Sequence, residues 1–362
     1  MSVTSATRAG RMGRLGRHAL AVAEAVATPL VPQDYLDLVA PLRGSVLRGR
    51  IESVHPETRD AVTLVIRPGR GWSSHRAGQY VRVGVDVDGV RLWRAYSLTS
   101  PPTPDRLIAI TVKAIPDGVV SNYLVRRARP GMLVQLDPPT GDFTLPEPRP
   151  DKVLFITAGS GITPVMGMLR SHLAGLTDVV HVHAAPSRDE VIFGGELRRL
   201  ARTGRLALIE HHDDVDGLLS TERLSTHVPD LAERAAWACG PAGLLGVLEA
   251  FYADAGLTDR LHTERFRPLV LATGAGGTVT FTRQDRSVEA PGDTPLLSAG
   301  EAAGVLMPSG CRMGICFGCV VPLAEGSVRD LRTGEITHAV PGDNVQIQTC
   351  VSAAAGACRI DL

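Results

Sequence analysis

The sequence predicts a multi-domain α+β chain: a small antiparallel β-barrel, an α/β domain on a parallel sheet, and a compact C-terminal domain. Three observations carry this. From Ser45 onward, short runs rich in β-branched residues (50–54, 61–66, 80–87 and 107–114) alternate with turn residues, the rhythm of strands in a small antiparallel barrel. From Lys152 the chain runs Val-Leu-Phe-Ile-Thr-Ala to Ala158, a nearly unbroken apolar stretch expected of a parallel strand covered on both faces. Near the end, Cys311, Cys316 and Cys319 stand in C-x4-C-x2-C spacing with Cys350 downstream. A length of 362 residues fits two or three domains. The boundaries expected are an N-terminal arm over 1–44, the barrel over 45–147, the α/β domain over 148–270 and the cysteine domain over 276–362.

Composition narrows the function classes. Hydrophobic residues make up 44% and charged residues 21%, with formal net charge zero, so no global field draws this chain to nucleic acid. All basic residues except Lys113 and Lys152 are arginine, which reflects composition rather than mechanism. Six cysteines in this length do not make a disulfide scaffold, and thiolate ligands favour a reducing compartment. No uncharged apolar stretch reaches the ~18 residues of a spanning helix. The apolar stretch after His18 is cut by Glu24 and Pro29, so no secretory core stands at the start. The expectation is a cytoplasmic protein.

The arm admits two readings. Arg8, Arg11, Arg14 and Arg17 occur with no acidic residue among the first eighteen. One reading is a basic segment resting peripherally on an anionic membrane or an acidic partner. The other is a partly ordered arm packed on the first domain, which Gly10, Gly13 and Gly16 favour because they weaken a helix.

In the barrel, Arg94-Ala95-Tyr96-Ser97 forms R-x-Y-S. Gly118 to Ser121 forms G-x-x-S just after Lys113, where backbone N–H groups at a helix start suit phosphate. Ala77-Gly78-Gln79-Tyr80 precedes these motifs and Pro139-Thr140-Gly141-Asp142-Phe143 follows them. Taken in order, the four segments resemble the ferredoxin–NADP reductase family, with Ala77 replacing the family's proline. The resemblance implies a flavin-binding barrel in which Arg94 serves the flavin diphosphate, Tyr96 faces the isoalloxazine and Ser97 hydrogen-bonds near N5. Lys113, Gly118 and Ser121 belong to the same cofactor site. FAD is expected over FMN, because Arg94 and the G-x-x-S turn fit a diphosphate.

Pro146, Pro148 and Pro150 make a stiff linker into the next domain. Gly159-Ser160-Gly161-Ile162-Thr163-Pro164 then follows the apolar strand. Its glycines let a pyrophosphate approach, and the helix N-terminus faces that anion. Proline replaces the third glycine of the dinucleotide fingerprint, the form found in ferredoxin reductases. By the same resemblance, Ser187 and Arg188 hold the 2′-phosphate of NADPH, with NADH as the alternative. Cys239-Gly240-Pro241 matches the family's C-G-P motif, with Cys239 beside the nicotinamide. Glu264 and Phe266 match its E-x-F element against the flavin. As a free cysteine, Cys239 also reads as a buried small hydrophobe. His211, His212, Asp213 and Asp214 lack metal-ligand spacing and read as a polar loop at a strand end. His181 and His183 share one strand face and read as packed or hydrogen-bonded residues.

Residues 271–277 read as a flexible hinge. Residues 278–282 and 286–290 read as a hairpin, and Thr294 as a cap with Pro295 in first helical position. Cys311, Cys316, Cys319 and Cys350 have the spacing of plant-type [2Fe–2S] ligands; a structural zinc site is the alternative, though such sites commonly use C-x2-C pairs at both ends. The stretch 276–362 resembles plant-type ferredoxins, which implies a β-grasp fold. Cys358 is left as a packed side chain.

The combined resemblance, over 45–362, is to bacterial reductase components of oxygenases and desaturases. It implies an NAD(P)H-dependent oxidoreductase that passes electrons through FAD and a [2Fe–2S] cluster to an oxygen-activating partner. Thr28 to Leu36 is similar to the leader of actinobacterial reductases serving membrane-bound acyl-CoA desaturases, so fatty acid desaturation is the first expectation. A Rieske-type ring-hydroxylating oxygenase is the second, and a non-catalytic redox sensor or interaction subunit the third.

Overall fold

The structure, a computed structural model, describes residues 42, 46–116, 118–266, 272–310, 312–314 and 317–362. The arginines of the arm, the segment 28–36, and the expected ligands Cys311 and Cys316 lie outside the described residues.

The first sheet has six strands: β1 (Arg48–Thr58), β2 (Ala61–Pro68), β3 (Tyr80–Val87), β4 (Val90–Ser97), β5 (Ile108–Lys113) and β6 (Leu133–Leu136). Their order is β4-β3-β6-β1-β2-β5, and every pairing is antiparallel. Leu98, one residue past β4, bridges to Ile110 of β5, so the two edges meet and the sheet closes. Period-two alternation points Val81, Val83, Val85 and Val87 into the barrel, where they meet Ile51, Leu64, Ile66 and Ile110. The helix Val119–Arg127 buries Val120, Ser121 and Leu124, with Leu124 entering this core.

The second sheet is parallel: β7 (Lys152–Ala158), β8 (Asp178–Ala185), β9 (Ala207–His212), β10 (Ala235–Cys239) and β11 (Leu261–Glu264), in order β11-β10-β7-β8-β9. Apolar residues on both faces of β7 explain its unbroken hydrophobic run: Val153 and Phe155 join one core, Leu154 and Ile156 the other. The chain turns outward in opposite directions from β7, and the crevice beyond β7 and β10 is therefore the topological switch point.

The third sheet is mixed: β12 (Gly277–Phe281), β13 (Arg286–Ala290), β14 (Val320–Asp330), β15 (Ile336–Ala339), β16 (Val345–Gln348) and β17 (Ser352–Ile360). Its order is β13-β12-β17-β14-β15, with β16 on β14; β12 runs parallel to β17. The helix Leu296–Ala302 packs Leu296, Leu297 and Ala299 into its core. Pro295, not Thr294, occupies the cap of that helix, with an extended ψ of 136°. The proline ring fixes φ while leaving ψ free to remain extended, so the helix begins one residue later than the sequence pattern implies. The outline matches the expected antiparallel barrel, parallel sheet and separate C-terminal sheet.

Candidate active site

A cavity of about 640 Å³ lies where all three sheets' surroundings meet. The barrel contributes Arg94, Tyr96 and Ser97 from the end of β4, Lys113 from the end of β5, and Gly118 and Ser121 from the turn into the first helix. The parallel domain contributes Ser160, Thr163, Glu264 and Phe266. The C-terminal domain contributes Arg312, Met313 and Cys350. Residues more than two hundred positions apart thus share one wall.

The polar groups here are prepared for a ligand. Ser97 Oγ is buried without a hydrogen-bond partner, a costly state that a bound polar group would relieve. Burial lowers the Arg94 guanidinium to about 10, with a further push from the like charge of Arg312; Arg94 Nη1 donates to Trp93 O at 2.7 Å. Burial raises the Tyr96 phenol well above its ordinary range, so Tyr96 presents a neutral aromatic side chain. Lys113 Nζ sits 3.4 Å from Asp60 Oδ2. Ser121 Oγ donates to Gly118 O at 3.1 Å, so this hydroxyl ties the G-x-x-S turn. An orphaned hydroxyl beside a buried guanidinium fits a flavin with its diphosphate.

In the same cavity, burial raises the Glu264 carboxyl to about 8, and its Oε2 has no partner. Cys239 pairs with Glu264 in register across β10 and β11. Its thiol is pushed up by burial and then by Glu264, so it remains protonated. Phe266 is half-exposed at the rim, at 38%.

The nucleotide crevice is built from close backbone approach. Gly159 takes φ +54°. A Cβ on Gly161 would lie 2.0 Å from Cys239 O, so only glycine lets the ends of β7 and β10 touch. Thr163 Oγ1 donates to Ser160 O at 3.0 Å, and Pro164 is buried in the first turn of the helix Ile162–His172. Gly240 lies against Ala158, and Pro241 caps the helix Ala242–Asp254. Two helix N-termini therefore face the switch-point crevice, a cradle that fits a pyrophosphate. Gly159, Gly161, Pro164, Cys239, Gly240 and Pro241 surround this crevice rather than line the flavin-sized cavity. Ser187 and Arg188 stand apart, beyond the end of β8. Ser187 Oγ lies 3.4 Å from Glu190 Oε2, Glu190 pairs with Arg59 at 2.7 Å, and Arg188 is exposed.

Around the described cysteines, Cys319 and Cys350 are both buried and joined by a hydrogen bond that pulls the Cys319 thiol down. Gly314, at φ +73°, accepts from Arg332 Nη1 at 3.2 Å and from Gln348 Nε2 at 3.1 Å. Arg332 also feels the charge of both cysteines. A loop pinned from outside, with two converging thiols and a cation nearby, fits an anionic iron–sulfur cluster. Cys358 is packed in β17, where burial raises its thiol to about 11. Among the described residues, no group of three or more His, Cys, Asp or Glu is arranged for another metal. His211 and His212 end β9, and His211 Nε2 hydrogen-bonds Gly217 O at 2.6 Å.

Sequence reasoning missed two features. Arg312 and Met313 reach the cavity from the cysteine loop, and no local pattern in the loop signals that contact. In the parallel sheet, Thr157 Oγ1 lies 2.8 Å from His181 Nε2 and 2.7 Å from His183 Nδ1, a fully buried network. Period-two spacing placed the two histidines on one face, but their shared partner comes from another strand.

Three family models match in chain order: the oxidoreductase FAD-binding domain over residues 73–145, the oxidoreductase NAD-binding domain over 155–249, and the 2Fe-2S iron-sulfur cluster binding domain over 279–355. The chain is 50% identical over 357 residues to an NADPH oxidoreductase of Mycobacterium tuberculosis, covering 95% of this chain and 92% of that one. It is 32% identical over 314 residues to the ferredoxin reductase component of a 3-ketosteroid-9-alpha-monooxygenase from Mycolicibacterium smegmatis, covering 80% and 89%. Among solved structures, phthalate dioxygenase reductase superposes with a TM-score of 0.62 over 88% of this chain and 98% of that one, at 24% identity.

Proposed function

Because the chain belongs to the ferredoxin-reductase-type oxidoreductases that end in a [2Fe–2S] ferredoxin domain, we propose that its electron path, from NAD(P)H through FAD to the cluster, serves a membrane-bound acyl-CoA desaturase. The observation that carries the path is the shared cavity, where Ser97, Glu264 and Cys350 line one space. Bound flavin would accept electrons as a hydride pair and release them singly, which a one-electron cluster requires.

The protein's own part in this reading is positioning. Arg94 holds the flavin diphosphate with a planar, permanently charged fork. Ser97 offers its unpartnered hydroxyl near the reacting edge, and Tyr96 supplies a neutral ring. Glu264 keeps a proton at its carboxyl up to about pH 8, so the hydride side of the cavity carries no fixed negative charge at neutral pH. Cys239 occupies the nicotinamide side as a neutral thiol. Gly159, Gly161, Thr163, Pro164, Gly240 and Pro241 shape the dinucleotide cradle, and Cys311, Cys316, Cys319 and Cys350 hold the cluster.

NADPH is the proposed donor, since Ser187 and the exposed Arg188 stand at the end of β8 to meet a 2′-phosphate. Arg188→Ala should raise the KM for NADPH about tenfold while leaving NADH nearly unchanged; equal effects on both would remove that assignment.

The desaturase reading draws on the resemblance at Thr28 to Leu36 and on the basic arm, which suits docking at an anionic membrane. Among the described residues no helix is long and apolar enough to cross a bilayer, and a cytoplasmic chain held peripherally at the membrane is the arrangement proposed. A second acceptor, a Rieske-type oxygenase, is favoured by relatives named as monooxygenase reductase components. Reconstitution with NADPH and either acceptor separates them: desaturated acyl-CoA supports the first, while hydroxylated product from the oxygenase alone would replace it with the second. The built nucleotide cradle argues against a sensor, which would stall after one reduction instead of consuming NADPH steadily with cytochrome c as acceptor.

A further inference from the structure

Arg312 belongs to the C-terminal domain by sequence and to the flavin cavity by position. It follows Cys311 in the cluster loop with a left-handed backbone, φ +62°, uncommon for a side chain of its size. Its guanidinium pairs with Glu301 of the helix Leu296–Ala302, yet its Nε is buried without a hydrogen-bond partner. Arg94 reaches the same cavity from β4 and meets Arg312 as a like charge.

Two arginines lining one cavity repel each other, and the cost grows as water leaves. Glu301 answers one of the two charges, and Lys113 is already matched by Asp60. One positive charge is left over, beside a donor with nothing to donate to. Among the described cysteines, Cys319 and Cys350 already have a cation in electrostatic contact, Arg332. A diphosphate would answer the charge left over, since it carries more than one negative charge and its oxygens accept the planar guanidinium fork.

We propose that Arg312 is the second cation of the flavin-diphosphate site, so that the cluster domain completes a pocket the barrel only begins. This rests on the FAD reading above. FAD binding and seating of the cluster loop on the barrel are then linked: each strengthens the other by the same factor. Flavin would act as the bridge between the two domains, and a flavin-free chain would hold its cluster loop less firmly.

The test uses the full chain loaded with its cluster, with FAD affinity read by quenching of flavin fluorescence. Arg312→Gln should weaken FAD binding about tenfold, equivalent to about 1.4 kcal/mol, and flatten its dependence on salt. Arg312→Lys should recover part of the loss. Glu301→Gln, which breaks the same ion pair but leaves the cation, should bind FAD as tightly as the natural chain or more so. Unchanged affinity in Arg312→Gln would overturn the proposal, as would an equal loss in Glu301→Gln, which would assign the effect to the ion pair. Should Arg312→Gln fail to hold its cluster, deuterium uptake on the unmutated chain decides: stripping FAD should raise exchange across residues 296–314, and identical uptake would overturn the linkage. A natural chain that takes up no FAD at all would sink the cofactor reading itself, a result distinct from these.

Discussion

The barrel meets its two neighbours in different ways. Against the parallel sheet it is welded: Ala77, Phe143 and Leu145 share one hydrophobic core with Val165, Met168 and Leu169. A Cβ on Gly167 would lie 2.4 Å from Leu98 O, and Arg170 Nη1 donates to Thr99 O at 2.7 Å. Against the cluster domain it presents a cavity instead. Among the described residues, the core of the third sheet draws on residues after Gly277, and the cavity is lined from that side by Ser298, Arg312 and Met313. The first junction fixes hydride geometry, where small displacements are costly. The second has to pass single electrons, and under the proposal above a bound flavin would close it.

That contrast can be broken from either side. The largest effect should come from Cys350→Ser, which removes one proposed cluster ligand: the [2Fe–2S] EPR signal should vanish while NADPH still bleaches the flavin. Loss of both would show that the two junctions are not separable. Next, Gly167→Ala should destabilise the welded junction by about 1–3 kcal/mol through overpacking, despite a gain of ~1 kcal/mol in helix propensity. Ser298→Ala at the cavity should shift stability by less than ~0.5 kcal/mol. Thermal melts of the two variants compare them directly; equal shifts would erase the difference.

Acid should act on the welded side. Burial lowers His183 to about 3, with His212 and Lys113 adding to the effect, and His181 is lowered alongside it. A histidine with a depressed folded pKa contributes stability that is present above its unfolded value near 6.5 and lost as pH falls toward the folded one. At pH 5 the loss from His183 should be on the order of 2 kcal/mol, and urea unfolding of His183→Asn should show a flatter profile between pH 5 and 7. Glu264 runs the other way. Its folded pKa is raised, so its contribution is present below about 4.5 and lost as pH rises through about 8. The Tm of flavin-free protein should fall over that window relative to Glu264→Gln. The carboxyl lines the cavity, so this effect should be smaller than that of the fully buried His183. A profile identical in both proteins would place the side chain in solvent.

Legibility in the sequence followed the same divide. Arg94 to Ser97, Gly159 to Pro164 and Cys239 to Pro241 are contiguous, because the chemistry needs particular backbone shapes over a few residues, and such shapes leave local marks. The cysteine spacing pointed to Cys319 and Cys350, which the structure brings together; Cys311 and Cys316 lie outside the described residues. Arg312 was in plain view between Cys311 and Met313, but its approach to Arg94 joins positions far apart in the chain, and no period encodes it. The Thr157–His181–His183 network was half legible: alternation gave the shared face, while the partner depended on β7 lying beside β8 in register. The sequence pattern puts the helix start at Pro295 and the structure puts it at Leu296, since a proline is equally at home as a cap or as the first helical residue.

In the proposed electron path, the cavity is the electrical junction of the molecule. An anaerobic titration of the purified chain with NADPH, followed by absorbance and low-temperature EPR, tests it most directly. Flavin bleaching should be accompanied by a rhombic [2Fe–2S] signal that is absent from Cys350→Ser. Bleaching with no cluster signal in the natural chain would contradict it, leaving a flavin reductase whose third domain takes no part in electron transfer.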